Sequence, residues 1–199
     1  MPRAAKSQPY FVSSLNQLLA LASPGREEIL NAVNVLGQCS VPDIAHFLGR
    51  PRNALYYHVR ALRDRGLLVE STSQREGIKP TALYDLPGRP VIVRYDLTSP
   101  RISKAVVRLG RLRFRAGERA FVRACNADVA VTQGPMRNLW VSHWKGRLTD
   151  AQLREANVLF NKLVDLYRRT TTGDKAQGSP HGITFAISPV APAQSRSRK

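Results

Sequence analysis

The sequence predicts an α+β fold in two parts, on three observations. Apolar residues recur at helical spacing through successive segments up to about residue 66, two short strand-like segments follow them directly, and beyond a Pro-Gly break near residue 88 helical and strand patterns alternate again. The first part is expected over residues 13–87 behind a flexible arm at 1–12, the second over 88–190, and a disordered basic tail over 191–199.

Between Tyr10 and Ala22, Phe11, Leu15, Leu18 and Leu19 fall at helical spacing. Ser23 followed by Pro24 marks a helix start with Ser23 as N-cap. This helix runs to about Leu36, with Ile29, Leu30, Val33 and Leu36 on one face and Glu27 and Glu28 in the first turn, where the helix dipole favours negative charge. Ser40 opens a short helix with Pro42 and Asp43 in its first turn; Ile44, Ala45, Phe47 and Leu48 supply its buried side, and Gly49 ends it. After Gly49-Arg50-Pro51 a third helix carries Leu55, Val59 and Leu62 inward and stops at Gly66. Two helices joined by a tight glycine-containing turn form the helix-turn-helix pattern. Leu67 to Ser71 and Thr81 to Leu86 read as strands around a turn at Gln74-Arg75-Glu76-Gly77, so a β-hairpin, the wing, follows the third helix.

These residues resemble a known family. The run LLALASPGREEIL followed by VPDIAHFLGRPRNALYYHVRALRDRGLLVE is similar to the ArsR-type winged helix-turn-helix, whose pattern includes an Ala-Leu-Ala-Ser-Pro entry and a recognition helix ending in His-Leu-x-x-Leu-x-x-x-Gly-Leu. Here that ending is His58-Val59-Arg60-Ala61-Leu62-Arg63-Asp64-Arg65-Gly66-Leu67, with Val in place of the first Leu. The resemblance covers about residues 14–86 and implies a dimeric transcription regulator that binds double-stranded DNA, a repressor being the expected form. Metal-sensing members carry paired cysteines near the reading unit. Only Cys39 lies there in this chain, so metal sensing is not expected, and Tyr56 in place of the family's frequent Ser implies a different preferred sequence.

The charge agrees with a polyanionic partner. There are 31 Lys and Arg against 14 Asp and Glu, a formal net charge of +17, which attracts nucleic acid first and an anionic membrane surface second. No apolar run approaches the roughly 20 residues of a membrane span, and no signal peptide is read at the N-terminus, so no membrane association and a cytoplasmic location are expected. Cys39 and Cys125 are far apart and lack neighbouring ligands, so neither a disulfide, a metal site nor a cofactor is anticipated.

With Leu55, Val59 and Leu62 inward, the opposite face of the third helix presents Arg52, Asn53, Tyr56, Tyr57, Arg60 and Arg63. Arg pairs bidentately with guanine and Asn with adenine, and a tyrosine contacts a thymine methyl or a phosphate, so residues near the helix start are candidates for base edges. Arg60, Arg63 and Arg65 are assigned to phosphate, and Arg50 is a further DNA-binding candidate. His58 is open between a structural hydrogen bond and a phosphate contact. In the wing, Arg75 and Lys79 flank Gly77 within reach of a minor groove, although hairpin tips are commonly polar for solubility alone.

In the second part Val91 to Tyr95 alternates as a strand, and about Ser99 to Cys125 forms a long helix. Arg101, Lys104, Arg108, Arg111, Arg115 and Arg119 follow helical spacing along one side of it. A solvated face beside a dimer seam is the first reading of this stripe and phosphate contact the next. Asp128 to Thr132, Leu139 to Trp144 and Ile183 to Ser188 are strand candidates, and Thr149 with Gln152 reads as a capping box for a helix to about Arg169. Its packing face is Leu153, Leu159, Phe160, Leu163, Val164 and Tyr167. This order permits a small α+β sandwich of ferredoxin-like type. Trp140 and Trp144 fall on one side of their segment; core packing is the first reading of the pair, and the lining of a pocket for an unidentified small-molecule effector the second.

An enzyme is not expected. The acids are scattered, Glu27-Glu28 being the only adjacent pair, and neither a nucleophile elbow nor a phosphate loop is present. The alternatives are a non-specific nucleoid or RNA-binding protein, or an accessory DNA-binding factor of a nucleic-acid enzyme.

Overall fold

The computed structural model describes residues 8–73, 80–168 and 178–190. Strand β1 is Tyr10–Val12, followed by helices α1 (Leu15–Leu21) and α2 (Pro24–Leu36), strand β2 (Cys39–Ser40), and helices α3 (Val41–Leu48) and α4 (Asn53–Arg63). Strands β3 (Val69–Ser73), β4 (Thr81–Asp85) and β5 (Val91–Val93) come next, then helices α5 (Pro100–Cys125) and α6 (Asp150–Arg168).

The start of the chain corrects the sequence reading. Residues Tyr10–Val12, expected at the end of an arm and at the start of a helical pattern, pair in parallel with Val91–Val93. The pairing is extended by Tyr10 N donating to the Pro90 carbonyl at 2.9 Å and by Arg94 N donating to the Val12 carbonyl at 2.9 Å. Val12 is fully buried, and Ser14 caps α1 by accepting from Gln17 N. A strand wins here because Val91, Ile92 and Val93 offer it a partner, which no local periodicity reports.

The helix-turn-helix forms where the apolar spacing placed it, except that Phe47, expected on the buried side of α3, is exposed, the core being reached by Val41, Ile44 and Ala45 instead. At α3 the capping box is complete: Ser40 N donates to Asp43 Oδ2 at 2.8 Å and Asp43 N donates to Ser40 Oγ at 3.4 Å. Gly49 ends α3 at φ 61, in the left-handed region where a side chain is strained, and so allows the tight reversal into α4. Leu18, Ile29, Val33, Ile44, Leu55, Val59 and Leu62 meet in one core, joined by Leu67, Leu68 and Leu86. Sheet order β2-β4-β3 closes that core on one side; β3 and β4 form an antiparallel hairpin, and Cys39 and Ser40 pair with Tyr84 and Leu83. The hairpin tip, residues 74–79 with Arg75 and Lys79, lies outside the described residues.

Helix α5 belongs to the same core at its first half. Ala105 and Leu109 are buried in the cluster, with Ile102 and Val106 packed against it. Beyond α5 the chain departs from expectation. Among the described residues, 128–132, 139–144 and 183–188 form no strand, so the ferredoxin-like order is not seen. A strand needs a repeating ladder with a neighbour, and among the described residues these segments make none: Val131 meets Asn138 and Leu139 only around a turn, through Asn138 N and Leu139 N donating to the Val131 carbonyl and Val131 N donating to Asn138 Oδ1. The 182–188 segment instead crosses α5, where Thr184 sits so close to Gly117 that a Cβ there would lie 2.7 Å from Thr184 Oγ1. Phe185 stacks on Phe160 of α6 with ring centroids 4.8 Å apart. The capping box of α6 forms, with Thr149 N donating to Gln152 Oε1 at 2.9 Å, but Leu153 and Leu159 of its expected packing face are exposed.

Candidate nucleic-acid interface

Helix α4 is fixed by Leu55, Val59 and Leu62, each buried to within about one per cent, so its outer face has little freedom to turn. Asn53, Tyr56, Tyr57 and Arg60 stand exposed on that face, Tyr57 at 74%. Arg52 is exposed at the helix start. These residues present guanidinium, amide and phenol groups on a rigid, convex helix, the donor and acceptor set that reads base edges in a major groove.

Two predicted residues have partners in the protein. Arg50 Nη2 lies 2.6 Å from Glu28 Oε2. Arg63 binds Glu70 Oε2 at 2.7 Å and Asp64 Oδ1 at 3.0 Å, and the bonds to Glu70 and then Asp64 raise its pKa above the usual arginine value. Arg63 thereby braces α4 against β3, and its charge is largely matched. His58 is half-buried, its ring 3.3 Å from where a Cβ on Gly25 would stand, with an edge-on contact to Tyr57 at 5.6 Å. Its ring therefore packs α4 against the start of α2, where a side chain at position 25 would make a tight contact with it.

The flank of α4 that carries Tyr57 holds a group the sequence reading passed over. Arg26, in the first turn of α2, has its pKa lowered by burial first and then by the nearby charges of Arg65 and Arg108, with Tyr57 acting in the opposite sense. A cation in a helix's first turn opposes the dipole; that mismatch was the available signal.

The tryptophans do not take the core position that was their first reading. Trp144 is 89% exposed and Trp140 65%, and Trp140 carries Arg137 over its ring at 3.7 Å. Neither packs in a core, since no element among the described residues covers them. Among the described residues no group of three or more His, Cys, Asp or Glu is placed to hold a metal ion, and no helix is long and apolar enough to cross a membrane.

A family model described as a helix-turn-helix domain matches residues 21–71. No curated protein matches the chain. The match runs from the end of α1 through α2, α3 and α4 into β3, the stretch whose packing exposes the α4 face. Residues 21–71 are a helix-turn-helix domain, the kind of module through which regulators bind DNA.

Proposed function

We propose that the protein is a sequence-specific, double-stranded DNA-binding transcription regulator of the ArsR-like winged type, acting as a dimeric repressor in the cytoplasm, without enzymatic activity, metal or cofactor. Helix α4 enters the major groove, with Arg52 and Asn53 at base edges and Tyr56, Tyr57 and Arg60 at bases or backbone. The β3-β4 hairpin is the wing, and its tip with Arg75 and Lys79 follows the flanking groove. The observation that carries this reading is the exposed Asn53-Tyr57-Arg60 face on a helix whose other side is locked into the core of a helix-turn-helix domain. The second part serves dimerisation, which the exposure of Val129, Val131, Trp140, Val141 and Trp144 within one short stretch of chain supports, since large apolar side chains concentrated this way favour association with a second surface. A small-molecule effector, if one acts, binds near Trp140 and Trp144.

The test is selection of bound duplexes from a random pool. A short, roughly palindromic sequence bound at least ~10³ times more tightly than random DNA is expected. Equal affinity for every duplex would favour the nucleoid-protein alternative instead.

A further inference from the structure

Acids are scarce in this protein, 14 against 31 Lys and Arg, and those around α4 are already engaged. Glu28 pairs with Arg50, Glu70 with Arg63, and Glu27 with Arg113 at 2.8 Å. The last of these pairs ties the first turn of α2 to α5, while the Gly25 to His58 approach ties the same turn to α4. Three elements thus converge at the start of α2. Arg26 comes from α2, Arg65 follows α4 and is exposed, and Arg108 is exposed on α5 next to the buried Leu109. Arg65 spends one nitrogen on the Ala61 carbonyl, at 2.9 Å. None of the three is within ion-pair distance of a carboxylate among the described residues, and the Nε of Arg26 is shielded from solvent without any acceptor.

Like charges held together with no counter-charge are costly unless an anion joins them. The cluster also borders Tyr57, so an anion bound there lies beside the proposed reading face.

We propose that Arg26, Arg65 and Arg108, gathered where α2, α4 and α5 meet, grip a backbone phosphate of the DNA flanking the sequence that α4 reads. This rests on the reading of the chain as a duplex-binding protein, and it gives α5 a part in DNA contact in addition to any dimer seam. The contact is blind to sequence: it anchors the angle of α4 in the groove while the bases are read elsewhere. It also divides the basic stripe of α5, making Arg108 a phosphate ligand and leaving Arg115 and Arg119, about two and three turns farther along, as solvated charge.

The experiment is binding of the full chain to the selected duplex and to random duplex across a salt series, for the wild type, for Arg26→Gln with Arg108→Gln, and for Arg115→Gln with Arg119→Gln. The two pairs remove equal charge. The cluster pair is expected to make the plot of log affinity against log salt shallower by roughly 0.9 on both duplexes, so that its deficit relative to the wild type shrinks by roughly 3.5-fold between about 50 and about 200 mM salt. The distal pair is expected to leave the slope nearly unchanged. Arg108→Gln alone, at an exposed position, repeats the measurement if the double variant proves unstable. An unchanged slope for the cluster variants, or an equal loss in both pairs, would overturn the assignment while leaving preference for the selected duplex intact. Absence of that preference in the wild type would instead overturn the reading on which it rests.

Discussion

The two cysteines show how much a single residue's surroundings decide. Cys39 is buried in β2, and burial first, then the charges of Asp43 and Asp85, push its thiol up to about 12. Cys125, at the end of α5, is exposed. The thiolate is the reactive form, so one thiol per chain is expected to react promptly with a thiol reagent in the native protein, and Cys125→Ser is expected to abolish that phase. Prompt reaction of both would mean that β2 does not hold Cys39 as described. At this scale the sequence showed Asn53, Tyr56, Tyr57 and Arg60 correctly, because helical spacing alone turns them outward once Leu55, Val59 and Leu62 turn in. It did not show that Arg50 and Arg63 are matched by Glu28 and Glu70. Those pairs join separate elements, and only the tertiary packing brings them within reach.

Elements were legible where their signals are local. Ser40 at the start of α3, Gly49 at the reversal and the Thr149-Gln152 box at the start of α6 all act within a few residues of themselves, and each of these boundaries stands where the sequence put it. β1 was not legible in this way, since its partner β5 lies beyond the whole helix-turn-helix. The same physics removed the strands at 128–132, 139–144 and 183–188: alternation describes a face, but the ladder needs a second strand. The cap of α3 gives a pH-dependent test. Asp43 is held below the usual carboxylate range by the Ser40 hydroxyl first and the Ser40 backbone N–H next. A depressed folded pKa contributes stability that is present above the unfolded value, near ~3.9, and is lost as pH falls through the lower folded value. Ser40→Ala is therefore expected to cost about 0.5–2 kcal/mol in urea unfolding at neutral pH. For Asp43→Asn, the deficit relative to the wild type is expected to be full at neutral pH and to fade below about pH 4. A deficit that is constant down to the acid limit would contradict the cap's ionic character.

Over the whole molecule, one well-filled core spans β1 to the first half of α5, while the remainder leaves apolar groups in water. That imbalance is the physical case for a dimer. Two chains also suit a palindromic site, since each half-site then meets the same α4 face. Sedimentation equilibrium is expected to give twice the chain mass at micromolar concentration; a monomer at every concentration would remove the dimer from the proposal. The net charge of +17 draws the protein to any duplex, so binding alone says little. The measurement that bears most directly on the central claim is the affinity of wild type and Asn53→Ala for the selected duplex and for random duplex in the same salt. If the α4 face reads bases, the variant loses about 1–3 kcal/mol on the selected duplex, relaxes preference at one base-pair position, and changes little on random DNA. Equal change on both duplexes, or none on either, would contradict reading by α4.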